Sequence, residues 1–184
     1  MSEKSSQTKT IRLGSGNLYY QEYDGSIPTR EEICTEAKLL GRISGGAAIT
    51  YKPSYYEAKD DEGLVKKTIV TDEEATLKSG IITWNGKTLG VLTSTARVTE
   101  ADGYRTVKIG GAGNDNGKSY VICFHHKDKV DGDIWLIIVG KNQSGFELTF
   151  EKNKETTIDA EFKALPMDDE GTLIEYTEEM AASV

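Results

Sequence analysis

The residues best suited to chemistry lie between Gly110 and His126, in the stretch GGAGNDNGKSYVICFHH. Within it, AGNDNGKS (Ala112 to Ser119) nearly spells the phosphate-binding pattern G-x-x-x-x-G-K-[ST], with Ala112 in place of the first glycine. Such a loop works because its backbone N–H groups and the N-terminus of a following helix surround the phosphates, while its lysine reaches them. His125 and His126 follow directly, and adjacent imidazoles raise the question of a metal site. LGSGNLYY (Leu13 to Tyr20) holds a bare G-x-G, and the chain has two cysteines, Cys34 and Cys123.

Each of these signals needs a particular element around it. The residues after Lys118, SYVICFHH, are aromatic and β-branched, and the preceding YRTVKIGG also reads as a strand. The glycine-rich run therefore joins two strands, as a β-hairpin loop does, and offers a phosphate no helix. Asp115 would repel a triphosphate, and IWLIIVGKN ends in no carboxylate that could help hold magnesium. Nucleotide binding is excluded on this ground. Neighbours on a strand point to opposite faces, so His125 and His126 are expected as a polar pair at a strand end rather than as two ligands of one metal. There is no G-x-S-x-G elbow, and the G-x-G at Gly14 lacks a third glycine and a helix. No catalytic, cofactor-binding or metal-ligating residue is expected. Without a secretory signal a disulfide is not expected either; Cys123 reads as a small core residue, and Cys34 has no evident role.

The 184 residues are enough for one domain with a real core. No apolar run approaches the ~20 residues of a membrane span; the longest, IWLIIV (Ile134 to Val139), is strand-sized. MSEKSSQTKT lacks the apolar centre of a signal peptide, so synthesis and folding in a cytoplasm are expected. A net charge of −8 without a Lys/Arg cluster argues against gripping nucleic acid, but not against a surface that nucleic acid slides past. A single domain spanning 1–184 is expected, with 1–10 and 177–184 as flexible terminal arms.

Turn signals recur every ten residues or so, at Gly14, Asp24, Gly45, Asp61, Asp102, Gly110, Asp131, Ser144 and Asp168. Short segments between regular turns point to a mainly β fold, a two-sheet antiparallel sandwich or barrel. YRTVKIG, FELTF (Phe146 to Phe150) and IDAEFKA alternate apolar and polar residues as half-buried strands do. DIWLIIV is apolar on both faces, so a second layer must cover Trp135, Ile137 and Val139: a helix of the same chain by default, or a neighbouring subunit. TREEICTEAKLLG opens with a capping-box pattern from Thr29 to Glu32, and Ile33, Ala37 and Leu40 fall at helical spacing. In TWNGKTLGVLTST, Gly86 and Gly90 each cost a helix about 1 kcal/mol, so a helix there needs packing to form. From Tyr51 to Thr71 the pattern predicts a long β-hairpin with a charged tip, DDEG (Asp60 to Gly63).

The order of these features resembles the phage major tail tube proteins, particularly those of phages infecting low-GC Gram-positive bacteria. The likeness runs through LGSGNLYYQEYDGSIPT, LLGRISGGAAITYKPSYYEAKDDEG, TLKSGIITWNGKTLGVL, YVICFHH, DIWLIIVGKN, FELTF and TTIDAEFKALPMDDEGTLIEY, from about Ile11 to Tyr176. It rests on the order and spacing of many weak motifs, with no single diagnostic one. The resemblance implies a β-sandwich with one flanking helix, placed after GIITWN over Thr83 to Thr95, and a long hairpin. It also implies rings of six subunits stacked into a hollow tube through which DNA passes. The implied partners are other copies of the chain, tape-measure, baseplate or distal-tail and terminator proteins, and DNA in non-specific transit, with no membrane. The location implied is the virion tail, after assembly in the host cytoplasm. On this reading Tyr55, Tyr56, Asp60, Asp61, Glu62, Gly63 and Trp135 are expected at contacts between subunits or rings. Glu147 and Glu151, or Asp159, Glu161 and Lys163, are expected to line an acidic lumen that repels DNA phosphates.

A reading of another class is a monomeric β-sandwich ligand-binding module, for carbohydrate for example, with Tyr19, Tyr20, Tyr23, Tyr55 and Tyr56 as the aromatic platform. The missing secretory signal weighs against it.

Overall fold

A computed structural model describes residues 14–180. The expected N-terminal arm, 1–10, lies outside the described residues, as do 181–184 of the C-terminal one. The chain is mainly β and antiparallel. Its strands are β1 (Asn17–Glu22), β2 (Leu39–Lys59), β3 (Lys66–Ile81), β4 (Arg97–Ala101), β5 (Tyr104–Lys108), β6 (Tyr120–His126), β7 (Ile134–Asn142), β8 (Ile158–Leu165) and β9 (Glu175–Glu178). Two short helices are α1 (Arg30–Ile33) and α2 (Gly86–Leu92). The larger sheet has the order β6-β1-β2-β3-β8-β7-β9, and β6 also pairs with β7. That extra pairing closes the sheet into a barrel, with β9 added alongside β7. Of the expected two-sheet sandwich or barrel, the chain forms a barrel, one closed sheet with a second, small β4–β5 sheet. Closure leaves fewer free edges than an open sheet of the same strands would expose.

Alternation then sorts the side chains. Leu18, Leu77, Ile122, Phe124, Ile138, Ile158 and Phe162 fill the main core. The opposite faces of β1, β6 and β7 carry Tyr19, Val121, Cys123, Ile137 and Val139, and these pack with Ile33 and Met167. The second apolar face of DIWLIIV is therefore covered from within the chain, as the default reading held. Ile33 is 0% exposed, and burying such a side chain contributes about 1.5–3 kcal/mol. This fixes α1, whose four residues could not hold a helix alone. Its capping box is formed: the Glu32 N–H donates to Thr29 Oγ1 and the Thr29 N–H to Glu32 Oε2. The helix is shorter than the spacing of Ala37 and Leu40 implied, because Leu39 and Leu40 are drawn into β2.

Four further expectations change. FELTF is not a strand; apart from one isolated bridge, Glu151 to Lys154, the segment between β7 and β8 is unpaired. β3 pairs with residues 158–163 of β8 and β7 only with 162–165; past Asn142 the Gln143 N–H still reaches Glu161 O at 3.3 Å, but no ladder continues from there along the segment. Gly45 and Gly46 make a bulge inside β2, not a turn; both have φ of 79° and drop out of the register between Ser44 and Ala47. Ser79 Oγ donates to Gly46 O at 3.1 Å and secures the bulge. The chain from Gly110 to Ser119 does not connect paired strands, because β5 pairs with β4 while β6 belongs to the barrel. It is a crossover, not a hairpin loop. Thr177 and Glu178, assigned above to a terminal arm, pair with Trp135 and Ile134 in β9, which covers a stretch of the β7 edge.

Helix α2 forms across its glycines as the packing argument required. Asn85 Oδ1 accepts from the Lys87 and Thr88 N–H groups and caps the helix. The β4–β5 ribbon lies against it so closely that a Cβ on Gly86 would stand 2.8 Å from Val107 Cγ2, and one on Gly90 3.0 Å from Val98 Cγ2. Glycine is weak in a helix but allows this approach.

Candidate functional site

The nucleotide-like loop is built to hold itself. Asp115 Oδ1 accepts from the Gly117 N–H at 2.8 Å, and Asn116 Oδ1 from the Lys118 N–H at 2.9 Å. The Asn116 N–H donates across to Ser94 O at 2.9 Å. Backbone donors that a phosphate would need are therefore engaged, and Lys118 Nζ is paired with Glu22 at 2.8 Å. No helix follows.

The histidines point to opposite sides of β6. His126 Nδ1 meets Ser15 O at 2.7 Å, while His125 Nε2 meets Asp133 Oδ2 at 2.8 Å. His125 stacks on Trp135 with ring centroids 4.9 Å apart, and the Arg30 guanidinium lies over the Trp135 ring at 4.8 Å. Partial burial raises the Asp133 pKa, but the hydrogen bonds from His125 and the Asp128 N–H outweigh it and hold the carboxyl below the usual aspartate range. Among the described residues, no group of three or more His, Cys, Asp or Glu is placed to hold a metal ion. Trp135 is half-buried between His125 and Arg30, so the apolar face that motivated its place at a subunit contact is one the chain covers itself.

The feature without an internal explanation is the distal part of β2–β3. Beyond the bulge between Ser54 and Tyr55, Tyr55 pairs with Val70 and Tyr56 with Ile69. Adjacent strand residues face opposite ways, so each face of the ribbon carries one aromatic and one aliphatic side chain. Tyr55 is 62%, Tyr56 60%, Ile69 47% and Val70 51% exposed. Leu64 and Val65 at the tip are more exposed still. Among the described residues no third strand or helix covers this stretch, and a lone two-stranded ribbon is marginal in water. At the tip, Asp60 is spent on the turn: its Oδ1 accepts from the Val65 N–H at 2.9 Å and its carbonyl from the Gly63 N–H at 3.0 Å. Gly63 supplies the required φ of 69°. Asp61 and Glu62 are left pointing into solvent.

The residues expected along a lumen fall in two places. Asp159, Glu161 and Lys163 alternate on the outer face of β8, opposite Gly80, Lys78 and Thr76 of β3. Lys78 Nζ pairs with Glu161 at 3.0 Å, so this face is mixed in charge rather than uniformly acidic. Glu147 and Glu151 are exposed on the unpaired 143–157 segment, and Glu147 borders the same cleft as Asp159. The five tyrosines are not gathered on one platform: Tyr19 is buried, Tyr20 packs on the core, and Tyr23 donates to Met167 O at 3.3 Å. Among the described residues no helix is long and apolar enough to cross a membrane.

Sequence reasoning missed the contact between Cys34 and Cys123, whose sulfurs lie 3.8 Å apart. Strand parity placed Cys123 on the face of Val121, but nothing local placed Cys34 above it. No protein-family model matches the chain, and no curated protein matches it either.

Proposed function

We propose that the chain is a non-catalytic structural subunit that polymerises with copies of itself, of the phage tail tube type. The observation that carries this reading is the distal β2–β3 ribbon, which exposes one aromatic–aliphatic pair on each face, Tyr55 with Val70 and Tyr56 with Ile69, and which no described element covers. Exposed apolar patches of this kind mark association surfaces, and a ribbon reaching past its own barrel is shaped to lie on a neighbour. The closed barrel supplies a rigid body for stacking, and a repeated head-to-tail contact gives rings or an open helical tube. Six subunits per ring, DNA transit, residence in the virion tail, and tape-measure, distal-tail and terminator partners come from the family resemblance and belong to the same proposal.

Deleting Lys59 to Leu64 tests it. The variant is expected to keep its circular dichroism spectrum and unfold cooperatively while failing to form oligomers in sedimentation velocity. Normal assembly by a folded deletion variant would remove the ribbon from the account.

A further inference from the structure

Cys34 closes α1 as its C-cap residue, and its N–H donates to Arg30 O at 3.0 Å. Next to it Ile33 is anchored at 0% exposure, so the thiol is held in place by a buried neighbour. Cys123 lies on β6 facing the same layer, is 0% exposed, and comes within 3.8 Å of Cys34 Sγ. The two thiols differ in access: Cys34 is half-buried and Cys123 is enclosed. Their chemistry differs too. The Cys123 thiol, by hydrogen bonding, and then Trp135 and Lys127 hold the Cys34 pKa below the ordinary thiol value, against burial and Glu31. The same contact and burial push Cys123 up. An accessible sulfur in contact with an enclosed partner thiol is the arrangement of an attacking and a resolving cysteine.

We propose that Cys34 and Cys123 form a reversible intramolecular disulfide that fastens α1 to the barrel, with a small-molecule disulfide as the oxidant. The Cys34 thiolate attacks one sulfur of that disulfide, whose S–S bond breaks; one small thiolate leaves and takes up the proton Cys34 gave up. Cys123 sulfur then attacks Cys34 Sγ, and the second small thiol departs with the proton from Cys123. Two protein thiols are oxidised to one disulfide, and one small disulfide is reduced to two thiols. The sulfurs must close from 3.8 Å to about 2.05 Å. The second step needs no solvent access to Cys123, since its target is the neighbour it already touches. The bond would join residues 89 apart in sequence, and cross-links closing long loops restrict the unfolded chain most. The inference does not depend on assembly; the unassembled full chain suffices to test it.

The purified chain is treated with oxidised glutathione, and its remaining thiols are alkylated before peptide mass spectrometry. The expected result is a mass loss of two hydrogens on the intact monomer, a Cys34–Cys123 cross-linked peptide, reversal by dithiothreitol, and a Tm higher by roughly 5–10 °C than that of the reduced chain. Cys34→Ser is expected to leave Cys123 unmodified by glutathione. Glutathione retained on Cys34 with Cys123 still free, or cross-links only between chains, would overturn the proposal. A cross-link without a rise in Tm would overturn the fastening of α1. Both decisive readings come from the unmutated protein, so a variant that fails to fold leaves them intact.

Discussion

Asp133 binds several groups at once. Its carboxylate accepts from the Asp128 N–H at 2.9 Å and meets His125 Nε2 at 2.8 Å, while its own N–H donates to Glu179 at 3.0 Å. Asp133→Ala leaves a buried ring nitrogen and a backbone donor without their partner, and is expected to lower stability by about 1–3 kcal/mol in urea unfolding. The pH dependence follows from the depressed carboxyl. A group whose folded pKa lies below its unfolded value stabilises above the unfolded value, and that share is lost as pH falls through the folded one. Asp133→Asn is therefore expected to flatten the acid limb of the stability profile; an unchanged limb would show that Asp133 does not drive it. The opposite facing of His125 and His126 was legible from strand alternation alone. The stack of Arg30, Trp135 and His125 was not, because it brings Arg30 of α1 onto the cross-strand pair His125–Trp135 from far along the chain.

At the level of elements, α2 shows why propensity and packing must be weighed together. Gly86→Ala improves helix propensity but places a methyl 2.8 Å from Val107 Cγ2 and 2.9 Å from Arg105 Cδ. Crowding wins over a gain that is small at the first helical position, and a loss of about 1–2 kcal/mol is expected in thermal or urea unfolding. A more stable variant would mean that the β4–β5 ribbon does not clamp the helix. The ribbon of β2 and β3 makes a complementary case. Replacing Tyr55 and Tyr56 by Ser and Ile69 and Val70 by Thr changes no core contact, and is expected to leave folding intact while abolishing oligomers in sedimentation velocity. Much of this level was readable in advance. Asp102-Gly103 marked a turn, which joins β4 to β5, and both residues have positive φ, 54° and 79°. In β8, Ile158, Ala160, Phe162 and Ala164 are buried as alternation required. FELTF failed for a physical reason: alternation reports one-sided burial, which Phe146 and Leu148 do show, but a strand also needs a partner to complete its ladder. Likewise, two left-handed glycines at Gly45 and Gly46 signal a break in regular backbone without distinguishing a turn from a bulge.

For the whole molecule, the mainly β architecture was readable from turn spacing and alternation, whereas closure of the barrel was not, since it depends on β6 and β7 meeting after the chain has gone round. The net charge of −8 was readable, its distribution was not: Lys78 and Lys163 share the outer face with Asp159 and Glu161. The assembly proposal joins these levels, a closed barrel and one ribbon that no described element covers and that directs association. Negative-stain electron microscopy of the concentrated, unmutated protein tests it most directly. The account expects rings or hollow tubes of uniform diameter. A field of single compact particles at every concentration, with a monomer in sedimentation velocity, would contradict it.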